Sequence, residues 1–172
     1  RYTAVCSAIS SASSERGMIT GYKVELAVPG DAVAIACLSR SAIEHGLPWR
    51  WKPQRVAHSI ADRSSNVVVV RQSGNLAGFA IMEYADEEAH LVLLAVHPDQ
   101  RQKRIGSALV SWLEATARTA GIGLIKLETR THNAEAIAFY RALGFQELEL
   151  RKGYYLGLEN ALCMAKDLWL PL

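Results

Sequence analysis

The sequence predicts a mixed α/β domain, a central β-sheet of about seven strands flanked by about four helices. Three observations carry this. Strand-like and helix-like patterns alternate along the chain in the order β-α-α-β-β-β-α-β-α-β-β. Residues 89–96 read as a continuous apolar strand, as expected for the middle of a sheet. Directly after them, a short basic loop leads into a helix with an apolar stripe.

In order, Tyr22, Val24, Leu26 and Val28 alternate with other residues and form a first strand. Pro29-Gly30-Asp31 breaks it. Asp31 is a suitable N-cap for a helix over 32–45, which buries Ile35, Leu38 and Ala42 and is ended by Gly46. The aromatic loop Leu47-Pro48-Trp49-Arg50-Trp51 precedes a short helix over 53–61, with Pro53 in its first turn. Residues 66–72 contain four consecutive valines and form a buried strand. Ser73-Gly74-Asn75 turns the chain into a return strand over 77–84. The helix beyond the basic loop places Ile105, Ala108, Leu109, Trp112 and Leu113 on one face and is closed by Gly121. A strand over 124–130 and a helix over 134–142 follow, the latter capped by Asn133 and closed by Gly144. Two last strands, 146–151 and 159–167, are joined by Gly153-Tyr154-Tyr155-Leu156-Gly157.

Composition narrows the function. Half of the 172 residues are apolar, enough for the core of one ordinary domain. The formal charge of +2 gives no global field of the kind a nucleic-acid binder needs. No apolar run reaches the length of a membrane span. Cys6, Cys37 and Cys163 are odd in number and widely spaced, which fits neither a disulfide framework nor a zinc site. They suggest a reducing, cytoplasmic setting. His45, His58, His90, His97 and His132 show no metal-ligand spacing, so no metal is expected. Residues 1–17 are small and polar around Ser10-Ser11-Ala12-Ser13-Ser14, with Met18 a candidate natural start. They are expected to be a mobile extension, with one domain over 18–172.

The chemistry concentrates in the second half. The loop Val96-His97-Pro98-Asp99-Gln100-Arg101-Gln102-Lys103-Arg104-Ile105-Gly106-Ser107 stands at a helix start. There the backbone amides are unpaired, the helix dipole is positive, and Gly106 allows close approach, a combination suited to phosphate. A basic surface turn is the plain alternative. On the strand over 124–130, Ile125 and Leu127 share one face while Lys126, Glu128 and Arg130 share the other. That charged row must face solvent, pair internally or line a cleft. Tyr140 lies on the next helix and carries a phenol able to donate a proton.

The order and spacing of these pieces resemble the GCN5-related N-acetyltransferases (GNAT), over roughly residues 20–168. The resemblance implies a sheet splayed at its central strands and acetyl coenzyme A as co-substrate. It implies pyrophosphate held by Arg101, Gln102, Lys103, Arg104, Ile105, Gly106 and Ser107, and backbone of Leu94, Ala95 and Val96 on the pantetheine arm and thioester carbonyl. It implies Asn133 and Tyr140 as further coenzyme contacts, and Tyr140 as general acid. The family pattern is Arg/Gln-x-x-Gly-x-Gly/Ala, and Arg104 stands here at the first glycine. The run Leu127-Glu128-Thr129-Arg130-Thr131-His132-Asn133 resembles the bacterial ribosomal-protein alanine N-acetyltransferase branch, which implies Glu128 as general base and the N-terminal α-amine of a protein as acceptor. Trp49, Tyr154 and Tyr155 then become candidate walls of the substrate groove, although they could equally be surface aromatics. The alternatives are a small-molecule amine acceptor (a polyamine, amino acid or aminoglycoside) and a non-catalytic coenzyme-binding module. Monomer and homodimer are both compatible.

Overall fold

The computed structural model describes residues 18–19 and 21–170. The expected extension over 1–17 lies outside them. Among the described residues, eight strands form one sheet in the order β1-β2-β3-β4-β5-β6-β8-β7. The two-residue strand β1 (Met18–Ile19) is added to the seven longer strands that the patterns predict. Those are β2 (Tyr22–Leu26), β3 (Ser65–Gln72), β4 (Asn75–Tyr84), β5 (Glu88–Val96), β6 (Leu124–Arg130), β7 (Gln146–Tyr155) and β8 (Glu159–Asp167). The helices are α1 (Ala32–Ala42), α2 (Pro53–Ala61), α3 (Ile105–Thr119) and α4 (Ala134–Ala142).

Every neighbouring pair is antiparallel except β5 with β6. That parallel pair is short, ending at His90↔Lys126. Beyond His90 the two strands separate, and the splay leaves Leu94, Ala95 and Val96 without a β6 partner. A β-bulge adds a second consequence. Ile81 pairs with Leu93 and Met82 with Leu91, so Val92 is the extra residue. Ala89 and Leu91 join the core under α3, whereas Leu93 and Ala95 join the core under α1 and α2. One inserted residue thus moves the odd-numbered side chains of β5 from one face of the sheet to the other.

Each face buries its own core. Under α3 lie Ile105, Leu109, Leu113, Ile125, Leu127 and Met164, and under α1 and α2 lie Ile35, Val56, Phe79 and Ile81. The buried ion pair Lys166–Glu114, at 2.8 Å, ties α3 to β8. Gly78 lets α3 sit against β4, because a Cβ there would meet Ile105 Cγ2 at 3.0 Å.

Three local expectations are corrected. The first helix ends at Ala42, short of Gly46. The N–H groups of Ile43 and Glu44 both bond the Ser39 carbonyl, which breaks the helical ladder, and Arg130 holds the Ile43 and His45 carbonyls beyond it at 2.9 and 2.8 Å. Asp31 makes no side-chain cap to α1. Its carboxylate accepts from Val28 N–H and pairs with Arg71, both at 2.8 Å. Gly153-Tyr154-Tyr155 belongs to the end of β7, with an irregular register between Arg151 and Tyr155 before the turn into β8.

Candidate active site

The splay, the loop before α3 and the turn between β7 and β8 surround one cavity of about 990 Å³. Two separate sets of residues line it.

The first set is the loop. Among the described residues, the amides of 102–107 have no backbone carbonyl partner, and the first helical bond runs from Ala108 N–H to Arg104 C=O at 3.0 Å. Gln102 and Arg104 both adopt left-handed backbone, with φ of 60° and 61°. This conformation explains why the family pattern carries glycine at the position of Arg104. Arg104 has an exposed side chain, and Arg101, Gln102, Arg104, Ile105, Gly106 and Ser107 all line the cavity. Lys103 does not; its ammonium is held by Asp99 O and Gln100 Oε1, both at 3.1 Å. Gly106 packs closely under Phe139: a Cβ would sit 3.0 Å from the ring, which would have to shift by a few tenths of an ångström. Leu94, Ala95, Val96 and Asn133 line the same side, and Asn133 Oδ1 caps α4 by accepting from Ala136 N–H at 3.1 Å. A row of free amides beside Arg101 and Arg104, continuing into an unpaired strand edge, fits a diphosphate followed by an amide-bearing arm.

The second set surrounds Glu128. The charged row on β6 is paired throughout: Lys126 with Glu88, Glu128 with His90 and Arg151, Arg130 with Glu159. Glu128 Oε2 lies 2.5 Å from His90 Nε2, and Oε1 lies 3.2 Å from Arg151 and 4.0 Å from the Cys163 thiol. The hydrogen bond from His90, with the charges of His90 and Arg151 and the Tyr154 hydroxyl, holds the Glu128 carboxyl below its ordinary value despite burial. In return, the Glu128 bond lifts His90 above the usual imidazole range against a smaller opposing effect of burial.

Tyr140 is buried, packed edge-on between Phe139 and Phe145 with ring centroids at 5.1 and 5.6 Å. It reaches the cavity wall. Burial, then the neighbouring Tyr155, pushes its phenol above the usual range, so the hydroxyl keeps its proton across neutral pH. Tyr155, whose own phenol is raised chiefly by burial and also by the nearby Tyr154 and Glu128 charges, is within electrostatic reach of both groups.

Tyr154 and Tyr155 line the cavity, in T-shaped contact at 5.1 Å. Trp49 does not: its indole N–H donates to Trp51 O at 3.0 Å and its ring packs on the core under α1 and α2. Pro48, Arg50 and Trp51 form that wall instead. The loop is shaped by Glu44, whose buried carboxylate accepts Arg50 N–H at 2.6 Å and Trp51 N–H at 3.2 Å. Sequence reasoning passed over Glu44, Arg151 and His90. For His90 there was a signal, an ionisable residue inside an otherwise apolar central strand.

The sequence profile of the Acetyltransferase (GNAT) family matches residues 35–145. The chain belongs to the GNAT acetyltransferase family. It is 37% identical over 124 residues to the [ribosomal protein bS18]-alanine N-acetyltransferase of Escherichia coli K12, covering 70% of this chain and 82% of that one. The crystal structure of the ribosomal-protein-S18-alanine N-acetyltransferase from Escherichia coli superposes with a TM-score of 0.75 at 30% identity, over 87% of this chain and 96% of that one. The streptothricin acetyltransferase of Streptomyces lavendulae is 36% identical over 108 residues, 59% of this chain and 57% of that protein. As a member of this family the protein is an acetyl-CoA-dependent N-acetyltransferase with a mixed α/β fold. Among the described residues, no helix is long and apolar enough to cross a membrane.

Proposed function

We propose that this protein acetylates the N-terminal α-amine of a protein or peptide by direct attack on acetyl-CoA in a ternary complex. One observation supports this above the rest. Glu128 and Tyr140, a carboxylate drawn below its ordinary range and a phenol pushed above its own, line the same cavity that the phosphate-type loop opens into. Residues 101–102 and 104–107 would hold the diphosphate, Leu94, Ala95 and Val96 would hold the arm through main-chain groups, and Asn133 lines the same side. An amide of this segment directed at the thioester oxygen would stabilise developing negative charge by a few kcal/mol, about 2.7–4. Glu128 supplies the negative charge toward which the acceptor ammonium turns. Tyr140 keeps the proton that the departing sulfur takes up.

The α-amine is favoured over lysine on chemistry, since its pKa of about 7.7–8.0 requires a weaker base than about 10.4. The similarity to the bS18-alanine enzyme points the same way. The free thiols of Cys37 and Cys163 suit a reducing, cytoplasmic setting. A small-molecule amine is the second reading, favoured by the similarity to the streptothricin enzyme. Acetyl-CoA titration by calorimetry, followed by an acceptor panel of Ala-initiated peptides, spermidine and an aminoglycoside, tests both. The expected result is binding and peptide turnover. Turnover of small amines with none on any peptide would reject the α-amine reading, and no binding at millimolar coenzyme would reject the site.

A further inference from the structure

The acceptor side of the cavity holds an ionisable pair of which the family roles use one member. Glu128 has both oxygens engaged, by His90 Nε2 on one and by Arg151 and the Cys163 thiol on the other. Its side chain is 12% exposed, and that of His90 38%. His90 lines the cavity, and among the described residues its Nδ1 has no hydrogen-bond partner. The other charged groups around it are Glu83 of β4 and Glu88 of β5, the latter paired with Lys126 of β6. Arg151 and Tyr154 of β7 reach Glu128, and Glu44 and His45 line the cavity from the segment after α1.

We propose that the atom receiving the acceptor's proton is Nδ1 of His90, with Glu128 orienting the ring through its Nε2–H and compensating the charge that forms. This rests on the acetyl-transfer reading above. In the step, an N–H bond of the ammonium breaks and its electron pair stays on nitrogen. The proton bonds to Nδ1, and the resulting imidazolium carries a proton on each nitrogen beside the Glu128 carboxylate. It then releases the Nδ1 proton to water.

Two considerations select the ring over the carboxylate. Glu128 is drawn below its ordinary value of 4.5 and is a poor match for an ammonium. His90 is drawn above its ordinary value of 6.5 and has a ring nitrogen left over, whereas both Glu128 oxygens are already engaged. Strand alternation N-terminal to the β5 bulge supports the geometry. Ala89 and Leu91 point into the α3 core, so His90 between them is left on the face that carries Glu128.

The test compares wild type, His90→Gln and Glu128→Gln with an Ala-initiated peptide and spermidine as acceptors. An NMR titration of the His90 imidazole in wild type and Glu128→Gln accompanies it. His90→Gln should lose about 100-fold or more in kcat with unchanged acetyl-CoA affinity, and the acidic limb of its kcat/KM profile should vanish. Glu128→Gln should keep that limb, displaced to lower pH, and its His90 should titrate lower. A limb retained in His90→Gln and abolished in Glu128→Gln would make the carboxylate the base and overturn the proposal. So would a His90 titration that Glu128→Gln leaves unmoved, a measurement that needs no His90 variant. A wild type that acetylates neither acceptor rejects the acceptor reading and this proposal together, whereas full activity of His90→Gln on a peptide that wild type acetylates rejects this proposal alone.

Discussion

The loop before α3 and the rim around Glu128 line one cavity, but the first is made of main chain and the second of side chains. The loop's anion-binding character comes from the orientation of the amides of 102–107, held by the α3 start and by left-handed backbone at Gln102 and Arg104. Its side chains are mostly exposed and weakly tied. The rim depends on a few buried or half-buried groups, each making several bonds. Glu44 shapes the 47–51 wall, Arg130 joins the segment after α1 to Glu159, and Glu128 gathers His90 and Arg151. A surface made of backbone tolerates side-chain replacement. A surface made of shared side chains does not, because one loss leaves several partners unpaired.

The largest effect should come from the cavity wall itself. Tyr140→Phe keeps the ring contacts with Phe139 and Phe145 and removes the hydroxyl. A fall in kcat of about 100- to 10,000-fold is expected in steady-state kinetics, with acetyl-CoA affinity unchanged by calorimetry. Unchanged turnover would remove Tyr140 from the mechanism.

Next is the rim. Glu44→Ala strands two backbone donors and should cost about 2–3 kcal/mol in urea unfolding, with a raised KM for acceptor and no change in coenzyme affinity. Equal damage to coenzyme binding would mean that the two sides are not built independently.

The pair at the rim also predicts a pH window for stability. The folded-state pKa of Glu128 is lowered, so its contribution is present above 4.5 and is lost as pH falls through the folded value. That of His90 is raised, so its contribution is present below 6.5 and is lost as pH rises through the folded value. Both act between these limits. Differential scanning calorimetry should therefore show the Tm gap between wild type and Glu128→Gln largest between about pH 4.5 and 6.5 and smaller on either side.

The smallest effect should be on the loop. Arg104→Gly relieves left-handed backbone at φ 61° and should gain about 0.5–1 kcal/mol after the extra unfolded-state entropy, a Tm rise of about 1–4 °C. Acetyl-CoA binding should persist, with a weaker dependence on salt. Its loss would show that the Arg104 charge, rather than the backbone, holds the coenzyme.

Particular elements show what could be read in advance. α2 and α4 fall on the expected 53–61 and 134–142, because Pro53 starts one and Asn133 caps the other from within the same few residues. α1 was expected to run on to 45. It stops at Ala42, where the N–H groups of Ile43 and Glu44 share the Ser39 carbonyl, and Arg130 holds the Ile43 and His45 carbonyls beyond it from 87 and 85 residues away. Glu128 could be singled out from strand alternation, but its partnership with His90 could not, since the two stand 38 residues apart on strands whose contact ends at that point.

By itself, then, the sequence determined the strand and helix order, the amphipathic stripe of α3, the phosphate-type loop and the ionisable face of β6, since periodicity, caps and turns act within a few residues of each other. Tertiary structure alone decided where β5 leaves β6, that the bulge at Val92 switches the faces of β5 beyond His90, and that Trp49 packs against the core away from the cavity while Trp51, itself a core residue, also lines it. These depend on register and on bonds between distant segments, which no local pattern encodes.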